Sequence, residues 1–285
     1  MDAQGPNSEQ IRYWNDAAAL KWVAKQADLD LQLAPFSVAA MAPLALTNGA
    51  AVIDVGCGCG GPTLALAERV GSSGSVLGID ISEPMLASAR ERAAAAGVAQ
   101  ARFEAADAQT HVFAPASVDA LFSRFGVMFF VDPTAAFANL RVAVRSGGQL
   151  AFVCWQSLSQ NPWMAVPLKA AAQHLTLPPP PNPDAPGPFA FARRERVQGL
   201  LEDAGWSGVQ LDAFEPLMQL AGSRDLDAAV EFLLQLGPLG AVLREASPEA
   251  LPRVRQAVHD ALVPHHGPDG VRMASAAWVV TARNP

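Results

Sequence analysis

The chain has 285 residues, of which 51% are hydrophobic and 16% are charged, so it can bury a large core. The formal net charge is −7 and the arginines are scattered, which disfavours a nucleic-acid substrate. Three cysteines are too few for a disulfide framework, and no Cys/His quartet completes a metal site. The first residues are polar and no segment has the apolar length of a membrane span, so a cytoplasmic protein is predicted.

Hydrophobic periodicity predicts alternating strands and helices over the first 155 residues. Two helices come first, over residues 8–26 and 28–46. Five predicted strands follow, over residues 51–55, 75–80, 101–107, 118–123 and 149–155. The predicted helices between them cover residues 62–70, 82–97 and 133–145. This alternation is typical of an α/β protein with a parallel sheet and helices on both faces.

After Trp155 the pattern changes. A proline-rich connection over residues 177–189 is expected to be an ordered loop or lid, because polyproline is stiff. The later predicted elements are a helix over 191–205, a strand over 208–217, helices over 225–245 and 248–262, and a last strand over 271–282.

A glycine-rich loop directly follows the first predicted strand, in the segment AVIDVGCGCGGP over residues 51–62. Gly56, Gly58 and Gly61 form the G-x-G-x-x-G pattern of dinucleotide sites. Asp54, Gly56, Gly58 and Gly60 form a D-x-G-x-G-x-G pattern that also suits S-adenosylmethionine. In both cases glycine lets the backbone approach the ligand without a Cβ, so the loop alone leaves the ligand open.

Polar residues at successive strand ends favour S-adenosylmethionine. Asp54, Asp80, Asp107 and Ser123 lie at or just beyond the carboxyl ends of strands, where such sheets bind ligands. A carboxylate at Asp54 suits a cationic sulfonium and ammonium better than a pyrophosphate, and Asp80 can accept from ribose hydroxyls. Asp107 can accept from the adenine amine. Each acid alone is about as well explained as a solvated loop residue or a helix cap.

The segments DVGCGCG, GIDISEPMLASAR, ADAQ and the stretch from Ser123 to Trp155 follow one known pattern in order and spacing. The chain thereby resembles the class I S-adenosylmethionine-dependent methyltransferases, in the small-molecule branch that includes the ubiquinone and menaquinone biosynthesis enzymes. The resemblance extends to YWN near the N-terminus, NPW at 161–163, PGPFAF at 186–191 and the closing AAWVVTAR. Ser146 and Cys59 depart from the pattern at positions that carry no chemistry in it.

The resemblance implies a Rossmann-like seven-stranded sheet in the order 3-2-1-4-5-7-6, with the last strand antiparallel. It implies a helical cap over residues 1–46, a cofactor-binding core over 47–155, a lid over 156–190, and the rest of the sheet over 191–285 with a helical lid over 225–262. The cofactor-binding residues that it implies are Tyr13, Trp14, Asp54, Gly56, Gly58, Gly60, Asp80, Ile81, Met85, Asp107, Ala108 and Ser123. Tyr13 and Trp14 are almost equally well explained as anchors of the helices in the core.

The predicted function is methyl transfer to a small apolar or aromatic acceptor such as a quinone, phenol or polyketide-like metabolite. The donor is already activated, so proximity and orientation supply most of the acceleration and a general base is optional. The candidate bases are His265 and His266, although these two histidines are better explained as a solvated pair of loop residues. The candidate lining of the acceptor pocket, for which ordinary core packing is the alternative, is Phe125, Phe129, Trp155, Trp163, Phe189 and Phe191.

Two other functions compete with this one. One is a nicotinamide-dependent oxidoreductase that uses the G-x-G-x-x-G pattern, against which Asp54 and Asp107 count. The other is a member that binds the cofactor without transferring methyl. No metal is expected, and the chain is predicted to be a monomer or homodimer.

Overall fold

Apolar, β-branched-rich segments form the centre of a twisted sheet, because strands buried on both faces need apolar side chains on both. The computed structural model describes residues 5–179, 182–222, 225–244 and 246–285. In the first part of the chain the strands and the helices between them are β1 (Ala51–Val55), α4 (Gly61–Val70), β2 (Ser75–Asp80), α5 (Glu83–Ala96), β3 (Ala101–Ala105), β4 (Val118–Arg124), α6 (Pro133–Ala143) and β5 (Val144–Trp155).

The main sheet has seven strands in the order β3-β2-β1-β4-β5-β10-β6. The strand β10 (Ala277–Arg283) is antiparallel to both β5 and β6 (Ser207–Phe214), and the other neighbouring pairs are parallel. Since β10 is the seventh strand of this sheet in chain order, the predicted Rossmann-like order with a final antiparallel strand is confirmed. The order reverses beside β1, so the cleft at that switch point is the expected ligand site.

The N-terminal cap differs from the two helices that were predicted. Residues 1–4 lie outside the described residues, and over residues 5–46 the cap contains three helices, α1 (Ser8–Asn15), α2 (Ala17–Ala24) and α3 (Gln26–Met41). The first break occurs at Asp16, whose backbone is extended, and the second at Lys25. The third helix ends at Met41 because Pro43 follows closely and cannot continue a helix.

The remaining helices are α7 (Pro162–Ala171), α8 (Arg194–Asp203), α9 (Leu226–Gln235), α10 (Gly237–Leu243) and α11 (Leu251–Leu262). The first of these lies inside the predicted lid over 156–190, of which residues 180 and 181 fall outside the described residues. The single helix predicted over 225–245 is wrong, because the extended backbone of Leu236 and the positive φ of Gly237 separate α9 from α10. Residue 245 is outside the described residues.

The strands predicted over 208–217 and 271–282 are each divided in two, and each supplies one strand to the main sheet and one to a second sheet. A small second sheet has the order β7-β9-β8, formed by Leu217–Gln219, Gly270–Ala274 and His266–Gly267. The chain leaves this sheet at Ser275, whose hydroxyl donates to the Pro216 carbonyl, and enters the main sheet at β10. The buried Asn161 amide holds the corner, since it donates to the Ala276 carbonyl at 3.0 Å and accepts from the Ala276 N–H at 2.9 Å.

Among the described residues, no single helix is long and apolar enough to cross a bilayer. Only α9 and α10 taken together reach the required length and composition, and they are bent by 63° relative to each other. Ala229, Val230, Phe232 and Leu233 of α9 are buried in the protein core.

Phe36 anchors the cap to the sheet. Its side chain is fully buried, and its ring contacts Phe125, Trp155 and Phe214 edge to face, with centroid separations of 5.0–5.5 Å. The helix α3 is thereby fixed over the carboxyl ends of β4 and β5, where it forms one wall of the cleft described below.

We expect Phe36→Ala to lower the free energy of unfolding by about 3–5 kcal/mol, because it removes a large buried ring and leaves a cavity. Urea unfolding followed by circular dichroism measures this change. Val38→Ala on the same helix is the matched control, since Val38 is 69% exposed and its truncation should cost less than about 0.5 kcal/mol. Equal unfolding midpoints for the two variants would contradict the anchoring role of Phe36.

Candidate functional site

A deep cleft opens at the carboxyl ends of β1, β2 and β4, beneath the cap helices. It holds about 1100 Å³ of empty space, part of which is open to solvent. Its apolar wall comes mainly from Trp14, Trp22, Leu29, Leu33, Phe129 and Phe130. Its floor is the glycine loop and the end of β2, so it lies where the topology of the sheet predicts a ligand.

The glycine loop needs glycine at three positions, for two different reasons. Gly56, Gly58 and Gly60 all have positive φ, which other residues rarely adopt. A Cβ on Gly56 would lie 2.8 Å from the Cα of Gly126, and one on Gly60 would lie 2.9 Å from the Cβ of Ala89. A Cβ on Gly58 would meet only the Met85 sulfur, at 3.7 Å, so Gly58 presents bare backbone to the cleft.

Asp80 ties this loop to the end of β2. One carboxylate oxygen accepts from the Gly58 N–H at 2.8 Å, and the other accepts from the Ser82 N–H at 2.9 Å. Burial raises the pKa of Asp80 above its usual value, while the backbone hydrogen bonds act in the opposite direction. Each carboxylate oxygen can accept more than one hydrogen bond, so Asp80 can also accept from ligand hydroxyls in the cleft that it lines.

Asp54 lies beneath the loop and is fully buried. The Thr63 hydroxyl donates to one of its oxygens at 2.6 Å, whereas the other oxygen has no hydrogen-bond partner among the described residues. Burial raises the pKa of this carboxyl to about 7, against the lowering effects of Thr63 and Arg124. Asp54 is therefore a buried acid that a nearby cation would stabilise in its ionised form.

Asp107 has a partner that the sequence did not reveal. The Asn7 side-chain amide donates to both of its oxygens, at 2.9 and 2.8 Å, and the Gln109 N–H donates to one of them at 2.9 Å. Asn7 also accepts from the Val131 N–H. The start of the cap is thereby fixed to the end of β3, and the bonded group on Asn7 is an –NH₂, like the amine of adenine.

The cleft brings together eight of the twelve predicted cofactor residues: Trp14, Gly56, Gly58, Asp80, Ile81, Met85, Asp107 and Ala108. Gly60 belongs to the glycine loop but does not line the cleft, and Asp54 lies beneath the loop. The buried Ser123 hydroxyl donates to the Val55 carbonyl instead of facing the cleft. Tyr13 is 39% exposed and packs outside, where its hydroxyl accepts from Arg244 of the α10 region at 3.1 Å. Lining the cleft does not by itself assign a role, so the cofactor roles of all twelve residues stay predictions.

Of the six residues predicted to line an acceptor pocket, only Phe125 and Phe129 line the cleft. Trp155 lies behind Phe125 and stacks on it at 4.0 Å, and Trp163 packs on Trp155 in turn. Phe191 is buried in the core against Phe137 and Phe152, and Phe189 packs on the core as well. For these four aromatics the alternative explanation, ordinary core packing, describes their positions.

The two candidate bases lie away from the cleft. His265 ends a short turn after α11 and His266 begins β8, and neither lines the cleft. All five histidines fall within the described residues, and none of them is among the cleft residues. The described residues also contain no group of three or more His, Cys, Asp or Glu side chains placed to hold a metal ion.

Several cleft residues escaped the sequence analysis, and the four that matter most below are Trp22, Gln26, Asp30 and Arg124. Three of them lie on the cap helices, where nothing in the local pattern separates a cleft residue from a solvent-exposed one. Arg124 is the exception, because it ends β4 directly after Ser123, and a polar residue at the end of a strand is the same signal that predicted Asp80 and Asp107.

Residues 52–148 match a family model described as a methyltransferase domain. This segment is a methyltransferase domain. It contains the glycine loop, Asp80 and Asp107, and thus most of the cleft floor. The predicted resemblance to class I S-adenosylmethionine-dependent methyltransferases is confirmed by this match, which supports S-adenosylmethionine as the cofactor.

Two curated relatives and one solved structure are similar to this chain. Aklanonic acid methyltransferase of a Streptomyces strain is 36% identical over 105 residues, which cover 37% of this chain and 48% of the relative. Demethylmenaquinone methyltransferase of Bacillus velezensis is 33% identical over 110 residues, covering 39% and 46%. The chain thus spans less than half the length of either. The [4+2]-cyclase SpnF, at 18% identity and a TM-score of 0.54 over 88% of this chain and 81% of its own, has the same fold.

The residues of the cleft fit this cofactor. The unpartnered oxygen of Asp54 lies under the loop as a negative counterpart for a cationic group. Above it, the open space over Gly58 admits a ligand to the backbone. Asp80 and Asp107 offer further acceptor oxygens at the next two strand ends, for hydroxyl and amine donors.

The pKa of Asp54 predicts an unusual pH dependence of stability. The carboxyl titrates near 3.8 in the unfolded chain and at about 7 in the folded protein, so the folded state holds the extra proton between these values. The free energy of unfolding should therefore fall as the pH rises from about 4 to 7 and stay low above that range. Asp54→Asn, which keeps an acceptor for Thr63, should flatten this slope and raise stability at pH 8 by about 1–3 kcal/mol.

Urea unfolding between pH 4 and pH 8 tests this expectation, with the exposed Asp260→Asn as the control of equal charge change. If Asp54→Asn and Asp260→Asn show the same pH profile, Asp54 is not the buried acid described above.

Proposed function

We propose that the chain is an S-adenosylmethionine-dependent methyltransferase that acts on a small apolar or aromatic acceptor. The observation that carries this proposal is the set of carboxylates at three successive strand ends around one glycine loop. Asp54 lies under the loop, Asp80 holds it through Gly58, and Asp107 lies one strand further along. A dinucleotide pyrophosphate would meet this negative charge unfavourably, whereas a cationic amino-acid group, a ribose and an adenine amine each have a partner.

When bound, S-adenosylmethionine supplies a methyl group on a positively charged sulfur, which is already activated for displacement. The protein then needs to bind both reactants, align them and exclude water, and alignment alone can lower a barrier by roughly 7–11 kcal/mol in favourable cases. Asp80 and the Gly58 backbone, which line the cleft, would hold one end of the ligand. Trp14, packed edge to face on Trp22 and Phe129 at 5.8 and 5.2 Å, closes the cleft from the cap side.

The apolar wall of the cleft supports a flat, apolar acceptor. Trp22, Leu29, Leu33 and Phe129 present rings and branched carbons to the empty space, and aromatic acceptors gain from such contacts. The relatives named above act, by name, on aklanonic acid and demethylmenaquinone, which agrees with a quinone, phenol or polyketide-like acceptor. Cytoplasmic location, a role in secondary metabolism and a monomeric or dimeric state stay predictions.

The fold by itself does not decide the reaction, since a solved structure with the same fold is titled a cyclase. A cofactor-binding protein without methyl transfer and a nicotinamide-dependent oxidoreductase are the alternatives. Both differ from the proposed function in what the chain binds or releases, so binding and product measurements separate them.

We expect isothermal titration of the whole chain to give micromolar binding of S-adenosylmethionine and S-adenosylhomocysteine and no binding of NAD. Asp80→Asn should weaken both adenosyl compounds about tenfold or more, because it removes a charged acceptor from the loop and from the ligand. Asp260→Asn is the matched control and should bind like the parent. Binding of NAD, or equal affinities for all three proteins, would contradict the proposal.

Methyl transfer itself is tested with donor labelled in the methyl group and a panel of phenols, quinones and aromatic acids. Label in an acceptor, dependent on Trp14 and Asp80, supports the enzyme. Tight binding of the donor together with no transfer to any member of the panel would favour the alternative in which the cofactor is held for another purpose.

A further inference from the structure

A charged cluster interrupts the apolar side of the cleft. It consists of Asp30 and Gln26 on α3, Arg124 at the end of β4 and Arg92 on α5. Arg124 donates to one oxygen of Asp30 at 3.0 Å, while Arg92 and Gln26 donate to the other at 2.9 and 2.5 Å. Gln26, Asp30 and Arg124 line the cleft, whereas Arg92 lies behind it.

The guanidinium of Arg124 is held in place on two sides. Besides Asp30, it donates to the Ser37 hydroxyl at 3.2 Å. Asp30 is itself confined, since a Cβ on Gly61 at the start of α4 would lie 2.5 Å from one of its oxygens. Only 13% of the Arg124 side chain is exposed. A long, flexible side chain is thus fixed at the end of β4, beside the glycine loop.

The charges in this cluster do not cancel. Two guanidinium groups share the single carboxylate of Asp30, which leaves one positive charge in a poorly solvated position. Arg124 has five N–H donors, of which two take part in hydrogen bonds among the described residues. The others remain for a ligand, and the partner that a desolvated guanidinium favours most is an anionic oxygen.

Asp54 also lies near Arg124. Asp54 lies close enough for Arg124 to lower its pKa, but burial raises that pKa to about 7, so Asp54 compensates Arg124 only in part near neutral pH. No histidine lines the cleft, so no imidazole competes for an acidic ligand.

We propose that Arg124, positioned by Asp30 and Ser37, is a binding residue for a carboxylate or ionised hydroxyl of the ligand in this cleft. The inference rests on the proposed function and deepens it. Two ligands could supply the oxygen: the amino-acid end of S-adenosylmethionine, or an acceptor that is itself an acid, phenol or enol. In the second case Arg124 favours the ionised form of the acceptor, whose proton passes to water, and a general base becomes unnecessary.

Two pairs of probes distinguish these sources by isothermal titration on the whole chain. The first pair is S-adenosylhomocysteine and its analogue without the carboxylate. The second is 2-naphthoate and the neutral 2-naphthamide, titrated with and without S-adenosylhomocysteine. The parent should prefer the anionic member of at least one pair by about tenfold or more, and Arg124→Gln should abolish that preference.

Arg145→Gln is the matched control. Arg145 pairs with Asp119 at the opposite end of β4, so its loss removes the same charge and a similar ion pair away from the cleft. It should keep the preference of the parent. Loss of preference in the adenosyl pair alone assigns Arg124 to the cofactor, and loss in the naphthyl pair alone assigns it to the acceptor.

The proposal is overturned if the parent prefers neither anion, or if Arg124→Gln and Arg145→Gln behave alike. Should Arg124→Gln fail to fold by circular dichroism, Asp30→Asn replaces it. The Asn side chain keeps an oxygen that can accept from Arg124, while loss of the negative charge raises the positive charge around the guanidinium. Anion preference should therefore grow about twofold or more, and an unchanged or smaller preference would count against the proposal. Failure of S-adenosylhomocysteine to bind the parent would instead refute the proposed function, while the naphthyl pair would still test Arg124.

Discussion

The hydrogen bond from the Gly58 N–H to the Asp80 carboxylate is the contact on which the site depends. It joins the loop after β1 to the end of β2, and the second oxygen of Asp80 accepts from Ser82 at the start of α5. Two strand ends and a helix start are thereby fixed around one carboxylate. The loop can take this path because Gly56 and Gly126 approach each other more closely than any side chain would allow.

Electrostatic cost is concentrated beneath that loop. Asp54 is buried with one oxygen unpartnered, an arrangement that burial alone would make unfavourable for a charged group. The positive charges nearby belong to Arg124 and, through Asp30, to Arg92. A site that already contains positive and negative charges close together suits a zwitterionic ligand. The charges of the protein then replace the water that otherwise solvates the charges of the ligand.

The cap is held by contacts distant in sequence. Asn7 bonds to Asp107, Asn15 bonds to the turn after β2, and Phe36 packs on residues of β5 and β6. Tyr13 reaches the C-terminal helical region through Arg244. These contacts hold the cap over a cleft whose floor comes from a different part of the chain, so cap and core must fold together to complete the site.

The sequence by itself determined the α/β alternation and the glycine loop, because buried strands need continuous apolar runs and positive φ needs glycine. Asp80 and Asp107 were found in the same way, because the end of a strand is visible in the pattern. The strand order, by contrast, was implied only by the resemblance to a known family. The breaks at Asp16 and Leu236 were missed, since apolar periodicity continues through both and only the backbone conformation interrupts the helices.

Only the tertiary structure decided which side chains share the cleft. Trp155, Trp163 and Phe191 are large aromatic residues like Phe125 and Phe129, so the sequence does not distinguish the two groups. In the structure, however, Trp155, Trp163 and Phe191 pack in the core. Asp30 and Arg124 are 94 residues apart and become partners only when α3 lies across the end of β4. Long-range packing determines such pairs, and no local pattern of residues encodes it.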